Sequence, residues 1–263
     1  MKLYDPKNKR LLFFEKKASP AFWDSLWNNE MKNIDKKKKT FVVRITKKYL
    51  KKGSRILDGG SGSGHKVYAL AYNGYDSYGI DFAKNTVKKI NKILPELKIY
   101  HGDVRKTFFD EGYFDGYWSL GVIEHFYEGY EDILKEINRL LKKGGYLFLT
   151  FPYMSPLRRL KAKFGLYEIF KGKKHPNFYQ FALNKKQVIR DLEKINFKFI
   201  YQTPIDGFKG LQSEINFLKP FFHKISSKKG MISDIIKKGI AKSFERFSGH
   251  IILLVFKKEE GIK

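Results

Sequence analysis

The residues Ile56-Leu57-Asp58-Gly59-Gly60-Ser61-Gly62-Ser63-Gly64 set a carboxylate at the end of an apolar run and follow it with alternating glycines. Glycine adopts positive φ without a Cβ penalty, so such a turn lets the backbone approach a ligand closely. A phosphate-binding loop would need Lys-Ser/Thr after Gly64, but His65-Lys66-Val67 follows. The dinucleotide fingerprint is G-x-G-x-x-G, whereas Gly60, Gly62 and Gly64 give G-x-G-x-G. Asp58 would also sit poorly beside a pyrophosphate. It suits a cationic ligand such as the methionine end of S-adenosylmethionine, and the spacing favours that cofactor over NAD or ATP.

Other chemistries are narrowed by composition. The absence of cysteine excludes disulfides, thiolate nucleophiles, Cys-based zinc sites and cysteine-dependent C5 methylation of pyrimidines. His65, His101, His175, His223 and His250 are scattered singly, so no metal site is expected. Glu124 and His125 adjoin one another at the end of an apolar segment, where a pocket should open. They could serve a base, which is needed only if a nucleophile must lose a proton. A helix-capping or cofactor-pocket pair is the alternative reading.

The elements that must position these residues alternate strand and helix. Strands are expected at 55–58, 78–81, 97–101, 114–120, 146–151, 197–202 and 250–256, with helices at 66–72, 84–94, 130–141 and 185–195. This order predicts a Rossmann-like α/β fold with a parallel sheet, right-handed crossovers and helices on both faces. The first fifty residues read as helical, with Ser19 at an N-cap, Pro20 in the first turn, and Phe22, Trp23, Leu26 and Trp27 as a packing stripe. Four segments are expected: an N-terminal helical lid over 1–53, and a core over 54–203 with a basic insertion at about 153–183. A basic amphipathic helical insertion over 204–248 and a last strand with tail over 249–263 complete the chain. In the helical insertion, Met231, Ile232, Ile235, Ile236, Ile240, Phe244 and Phe247 fall on one face and Lys237, Lys238, Lys242 and Arg246 largely off it. With Leu218 to Lys224, this reads as a packed helix, a cap over a hydrophobic acceptor or an interfacial membrane helix.

From about residue 18 to 200, and again in the last strand, the chain resembles the class I S-adenosylmethionine-dependent methyltransferases, in their small-molecule, ubiquinone-type group. Asp58, Gly60, Gly62 and Gly64 match the family's first cofactor motif. Phe114-Asp115-Gly116-Tyr117-Trp118-Ser119-Leu120-Gly121-Val122-Ile123-Glu124-His125 reproduces the pattern F-D-x-x-x-S-x-G-V-[IL]-E-H. Leu141-Lys142-Lys143-Gly144-Gly145 matches L-[KR]-P-G-G except for Lys143 in place of proline. The resemblance implies that Asp81, followed by Phe82, holds the ribose hydroxyls, a bonding pattern that suits a carboxylate. It further implies that Asp103 and the Val104 amide meet the adenine, and that the Leu120 and Gly121 backbone lines the methionine moiety. Glu124 and His125 recur in members with different acceptors, which favours the pocket reading of that pair. Trp23, Tyr153, Arg158 and Arg159 are expected at the acceptor pocket, the arginines meeting a phosphate or carboxylate or standing solvated.

The acceptor side is less constrained. The expected activity is methyl transfer to a small-molecule or lipid-linked acceptor, with O-methylation expected. The 53 Lys+Arg against 27 Asp+Glu give a net charge of +26, which fits an anionic membrane surface or RNA as partner, or a Lys-rich compositional bias. An RNA methyltransferase is therefore the alternative function, and a non-catalytic cofactor-binding scaffold the third. No run reaches the roughly 18 apolar residues of a membrane span, and no secretory signal is read, so a cytoplasmic location, peripheral at most to a membrane, is expected.

Overall fold

The computed structural model describes residues 1–15, 19–30, 40–172, 177–215, 220 and 231–259. The chain opens not with a helix but with a hairpin of β1 (Lys2–Asp5) and β2 (Arg10–Phe14). The helical expectation for this stretch fails because β2 is buried on both faces. Leu11 and Phe13 pack with Met154, Tyr167 and Ala182, while Leu12 and Phe14 enter the main core. A strand covered on both sides reads as an unbroken apolar run, which periodicity cannot tell from a helix. The turn is held by Asp5, whose carboxylate accepts from the Asn8 backbone N–H at 3.2 Å, the Asn8 side-chain amide at 2.7 Å and Arg10 Nε at 3.1 Å.

Helix α1 (Pro20–Glu30) follows, with Ser19 Oγ accepting from Phe22 N–H at its start. The run Lys36 to Lys39 lies outside the described residues. Beyond α2 (Phe41–Thr46) come β3 (Arg55–Gly59), α3 (His65–Tyr72), β4 (Asp76–Asp81), α4 (Lys84–Ile93), β5 (Lys98–His101) and β6 (Phe114–Leu120). A 3-10 turn at Ile123–His125 leads to α5 (Glu131–Leu140) and β7 (Leu141–Pro152). The remaining elements are α6 (Pro156–Lys163), β8 (Glu168–Ile169), β9 (Phe178–Ala182), α7 (Lys185–Glu193), β10 (Phe197–Ile205), α8 (Gly207–Glu214), α9 (Met231–Ser248) and β11 (Ile251–Lys258).

Seven strands form the main sheet in the order β10-β11-β7-β6-β3-β4-β5. Its pairings are parallel from β7 through β5, as expected, but β11 runs antiparallel to both its neighbours. The connection from β10 through α8 and α9 is long enough for a crossover, yet β11 enters the sheet from the opposite end, between β10 and β7. A second sheet, β8-β1-β2-β9, joins the N-terminal hairpin to the 153–183 insertion. The N-terminal hairpin and the 153–183 insertion therefore form one layer.

A buried carboxylate ties that layer to the rest. Glu214, 3% exposed, meets Arg158 Nε at 3.0 Å, Lys2 Nζ at 2.9 Å, Lys161 Nζ at 3.0 Å and the Tyr167 hydroxyl at 2.6 Å. Arg158 is itself fully buried and donates to the carbonyls of Tyr153 and His250. Helices α8 and α9 cross so closely that a Cβ on Gly210 would overlap the Ser248 carbonyl oxygen. Ile240 packs inward near Leu157, Phe208 and Leu211, while Ile235, Phe244 and Phe247 of the same expected stripe face outward. The side chains of Met231, Ile232 and Ile236, and the segment Leu218 to Lys224 apart from Pro220, lie outside the described residues.

Burial pushes the Glu214 pKa up, but Arg158, Lys2 and the Tyr167 hydrogen bond outweigh it and hold it at about 2. Its stabilising contribution is therefore full above the ordinary 4.5 and lost as pH falls towards 2. Glu214→Ala leaves Arg158 buried without a counter-charge, and a loss of about 3–5 kcal/mol is expected in urea unfolding at neutral pH. An unchanged midpoint would show that the layer is held by its apolar contacts alone.

Candidate functional site

The glycine loop after β3 is folded back onto the end of β4. The N–H groups of Gly60 and Ser61 donate to the Ile80 carbonyl at 2.8 and 3.0 Å, and the Gly62 N–H donates to Asp81 Oδ2 at 2.8 Å. This path needs φ of 78°, 51° and 73° at Gly60, Gly62 and Gly64. At Gly62 a side chain is excluded twice over, because its Cβ would also lie 2.7 Å from the Trp27 ring. The alternation of glycines thus has a geometric cause.

Two buried carboxyls flank the loop. Asp81 is 4% exposed, lines the adjoining cavity and accepts from the Gly62 and Ala83 N–H groups. Burial raises its pKa and those two N–H donors pull it back. Asp58, at the end of β3, is 1% exposed and neither of its oxygens has a hydrogen-bond partner. Burial drives it up to about 7, with Lys66 lowering it and Asp81 raising it. Unsatisfied buried carboxyls are costly and call for a ligand. The Ser61 and Ser119 hydroxyls beside them are unpartnered as well.

The cavity holds about 430 Å³ and is lined by Gly60, Asp81, Phe82, Asp103, Val104, Leu120, Gly121 and His125, among others. Asp103 is not a free acceptor: Arg105 grips it with Nε at 3.0 Å and Nη2 at 2.6 Å. Arg105 also reaches over the Phe126 ring, 5.4 Å from its centroid, so this pair closes one rim. His125 Nδ1 lies 2.7 Å from the Tyr179 carbonyl oxygen. A carbonyl only accepts, so the proton sits on Nδ1 and Nε2 keeps its lone pair. Burial lowers the His125 pKa to about 4, against the pull of that carbonyl, and the ring is neutral near pH 7. Glu124 is not among the lining residues. It is 2% exposed, Oε2 has no partner, and burial raises its pKa to about 8, so it carries a proton at neutral pH.

Helix α1 roofs the cavity. Trp23 stacks on Trp27 at 5.6 Å and meets His125 edge-on at 5.0 Å, and both tryptophans line the space below. The helix is pinned by Asp24, whose Oδ1 accepts from Thr86 N–H at 2.8 Å and Thr86 Oγ1 at 2.7 Å, and whose Oδ2 accepts from Asn85 at 3.0 Å. Asp24 and Tyr179 escaped the sequence reading, since a lone Asp on a helix and a Tyr in an insertion carry no spacing signal. Of the expected acceptor residues, only Trp23 lines this cavity. Tyr153 and Arg158 are buried in the Glu214 network and its surroundings, and Arg159 lines a second cavity. Arg158 looked like an anion clamp because its partner is 56 residues away. Among the described residues no group of three or more His, Asp or Glu could hold a metal.

The residues present fit S-adenosylmethionine: Asp81, Phe82, Asp103, Val104, Leu120 and Gly121 line the cavity. Asp58, Gly62 and Gly64 do not line it; Asp58 lies buried behind the glycine loop with both carboxyl oxygens unpartnered.

Residues 57–149 match the methyltransferase-domain family. The fold is similar to a chain of the complex between the Haloferax volcanii Trm112 methyltransferase activator and a methyltransferase, at 14% identity and a TM-score of 0.60, covering 90% of this chain and 98% of that one. It is also similar to a TehB-like SAM-dependent methyltransferase from Corynebacterium glutamicum, at 16% identity and 0.55, covering 92% and 100%. A third likeness is to Haemonchus contortus phosphoethanolamine N-methyltransferase 2 in complex with phosphomonomethylethanolamine and S-adenosylhomocysteine, at 18% identity and 0.51, covering 83% and 52%. No curated protein matches the sequence.

Asp58→Asn is expected to move two quantities in opposite directions. Removing a buried, unpaired charge raises the melting temperature of the ligand-free protein at about pH 8, while S-adenosylhomocysteine affinity falls about tenfold or more. A fall in both would mean that Asp58 is structural. Asp24→Ala frees α1, and S-adenosylhomocysteine is expected to dissociate several-fold faster in stopped-flow with global stability nearly unchanged. An unaltered rate would remove α1 as the roof.

Proposed function

We propose that the chain, whose residues 57–149 match the methyltransferase-domain family, is a class I S-adenosylmethionine-dependent methyltransferase that methylates a hydroxyl of a small-molecule or lipid-linked acceptor. The bound cofactor supplies an electrophilic methyl on a sulfonium, and this chain's residues bind, orient and desolvate around it. The observation that carries the reading is the size and roofing of the cavity. About 430 Å³ must hold the cofactor and the reacting end of the acceptor together, and α1 covers it with two stacked indoles. Such a space admits a small group or the tip of a longer molecule.

In this reading Asp58 answers the methionine ammonium and Asp81 the ribose. Trp23 and Trp27 exclude water, so the acceptor oxygen meets the methyl without competing solvent. His125 takes the hydroxyl proton on Nε2, which the Nδ1–Tyr179 bond keeps unprotonated and fixed in direction. Its low pKa makes it a weak base, so alignment supplies most of the acceleration and proton removal follows methyl transfer rather than preceding it. Glu124, protonated and behind the cavity wall, is a positioning group rather than a proton acceptor. The Haloferax likeness also leaves room for a protein partner, which the small-acceptor reading does not require.

The test is methyl-labelled S-adenosylmethionine with the pure protein and a cell extract separated into lipid, small-molecule, RNA and protein fractions. Label in the lipid or small-molecule fraction is expected; label confined to RNA or protein would overturn the acceptor class. With the acceptor in hand, His125→Asn should lower kcat by about 10- to 100-fold while S-adenosylhomocysteine affinity stays within about twofold. Full turnover in the variant would remove His125 from the chemistry.

A further inference from the structure

The larger cavity of the molecule lies outside the cofactor site. It encloses about 1120 Å³ between the β1–β2 turn and helices α5, α6 and α7. Nine of its lining residues are Lys or Arg, and only Glu131 and Asp191 are acidic. Arg10, Lys135 and Lys194 are paired with Asp5, Asp132 and Asp191. Lys7, Lys9, Arg159, Lys163, Lys186 and Arg190 have no ion pair among the described residues. These six come from three separate elements, the hairpin turn, α6 and α7, and converge on one concavity. Neighbouring Lys185 has its pKa lowered by burial and then by the charges of Arg159 and Lys186.

The concavity is built rather than incidental. Asp5 braces the turn that carries Lys7 and Lys9, with Lys9 in a left-handed conformation at φ 50°. The Glu214 network fixes α6, which carries Arg159 and Lys163. Apolar Leu134, Met154 and Leu183 also line the cavity. Most telling is its position. Gly129 and Glu131 line both this cavity and the cofactor cavity, so the two spaces meet at the start of α5.

We infer that this groove binds the phosphate groups of the methyl acceptor, which is accordingly a molecule carrying two or more phosphates together with an apolar portion. The inference rests on the methyltransferase reading for the word acceptor, but the phosphate site itself does not. Guanidinium and ammonium groups without an ion pair among the described residues, drawn from three elements, match the several oxygens of a diphosphate. A single-stranded nucleic acid fits less well, because that ligand class uses exposed aromatic platforms. The aromatic lining residues are Tyr4 and Tyr130, and Tyr130 is 8% exposed with its hydroxyl donated to Asp191.

The experiment is calorimetric titration with inorganic pyrophosphate. The wild type is compared with a groove variant (Lys7→Glu, Lys9→Glu, Arg159→Glu, Lys186→Glu) and a control carrying the same charge change (Lys47→Glu, Lys48→Glu, Lys51→Glu, Lys52→Glu). The control residues are exposed and line neither cavity. Binding by the wild type is expected to weaken about 100-fold in the groove variant and to stay within about threefold in the control. Equal losses in both, or no binding by the wild type, would overturn the site and leave only diffuse charge. Phosphatidylglycerol vesicles separate the sources: binding that pyrophosphate displaces places the phosphates on a lipid, and no binding places them on a soluble acceptor. Single-stranded RNA that outcompetes pyrophosphate at the same residues would overturn the small-acceptor assignment. S-adenosylhomocysteine affinity, measured on all three proteins, is expected to be equal. Its absence in the wild type would fail the methyltransferase reading while leaving the phosphate result to stand on its own.

Discussion

Everything at the cofactor site depends on three N–H donors. Those of Gly60 and Ser61 close on the Ile80 carbonyl and that of Gly62 closes on Asp81, which binds the turn after β3 to the end of β4. Parallel strands have their carboxyl ends on one side of the sheet, and a ligand at that side meets loops rather than strands. Here the loop is made rigid by the next strand. One side chain, Asp81, both braces the loop and lines the cavity. A substitution there would disturb the loop and the proposed ribose subsite together.

That arrangement has an energetic consequence. The turn buries Asp58 with no donor for either oxygen, so the ligand-free protein holds a carboxyl that is protonated about half the time near neutral pH. Glu124 and His125 are likewise kept neutral by burial. These three groups are thus held largely out of water beside a cavity whose lining also includes Asp81, Asp103, Arg105 and Glu131. The roof serves the same end from above, because Asp24 docks α1 onto α4 and brings Trp27 against Gly62. Desolvation is thus distributed across elements far apart in sequence, and the glycine loop is where they meet.

How much of this the sequence carried depended on where each signal is written. Strand β6 was legible to the residue, and β3, β4 and the helices between them nearly so, because each is bounded by Gly, Pro or a charged turn. Asp58 and Asp81 were placed at strand ends because each closes an apolar run before a turn, and His125 falls in the 3-10 turn after β6. The N-terminal hairpin was not, although Pro6 and Asn8 mark its turn, because Leu11 to Phe14 is apolar on both faces. Arg158 was misplaced for a related reason. Its charge suggested an anion site, but its partner Glu214 lies on another helix, and only tertiary structure shows the pair. Arg159, its neighbour, faces the groove that composition had shown only as a net charge of +26.

The proposed role of Asp58, a buried carboxyl with neither oxygen hydrogen-bonded, is to meet the cationic end of S-adenosylmethionine. Proton exchange during S-adenosylhomocysteine binding tests it most directly, measured by calorimetry in buffers of differing ionisation enthalpy. With Asp58 at about 7 in the free protein, binding at about pH 6 should release close to one proton per ligand, and release should fade by about pH 8.5. Binding with no proton released at the lower pH, or no binding at all, would contradict the account.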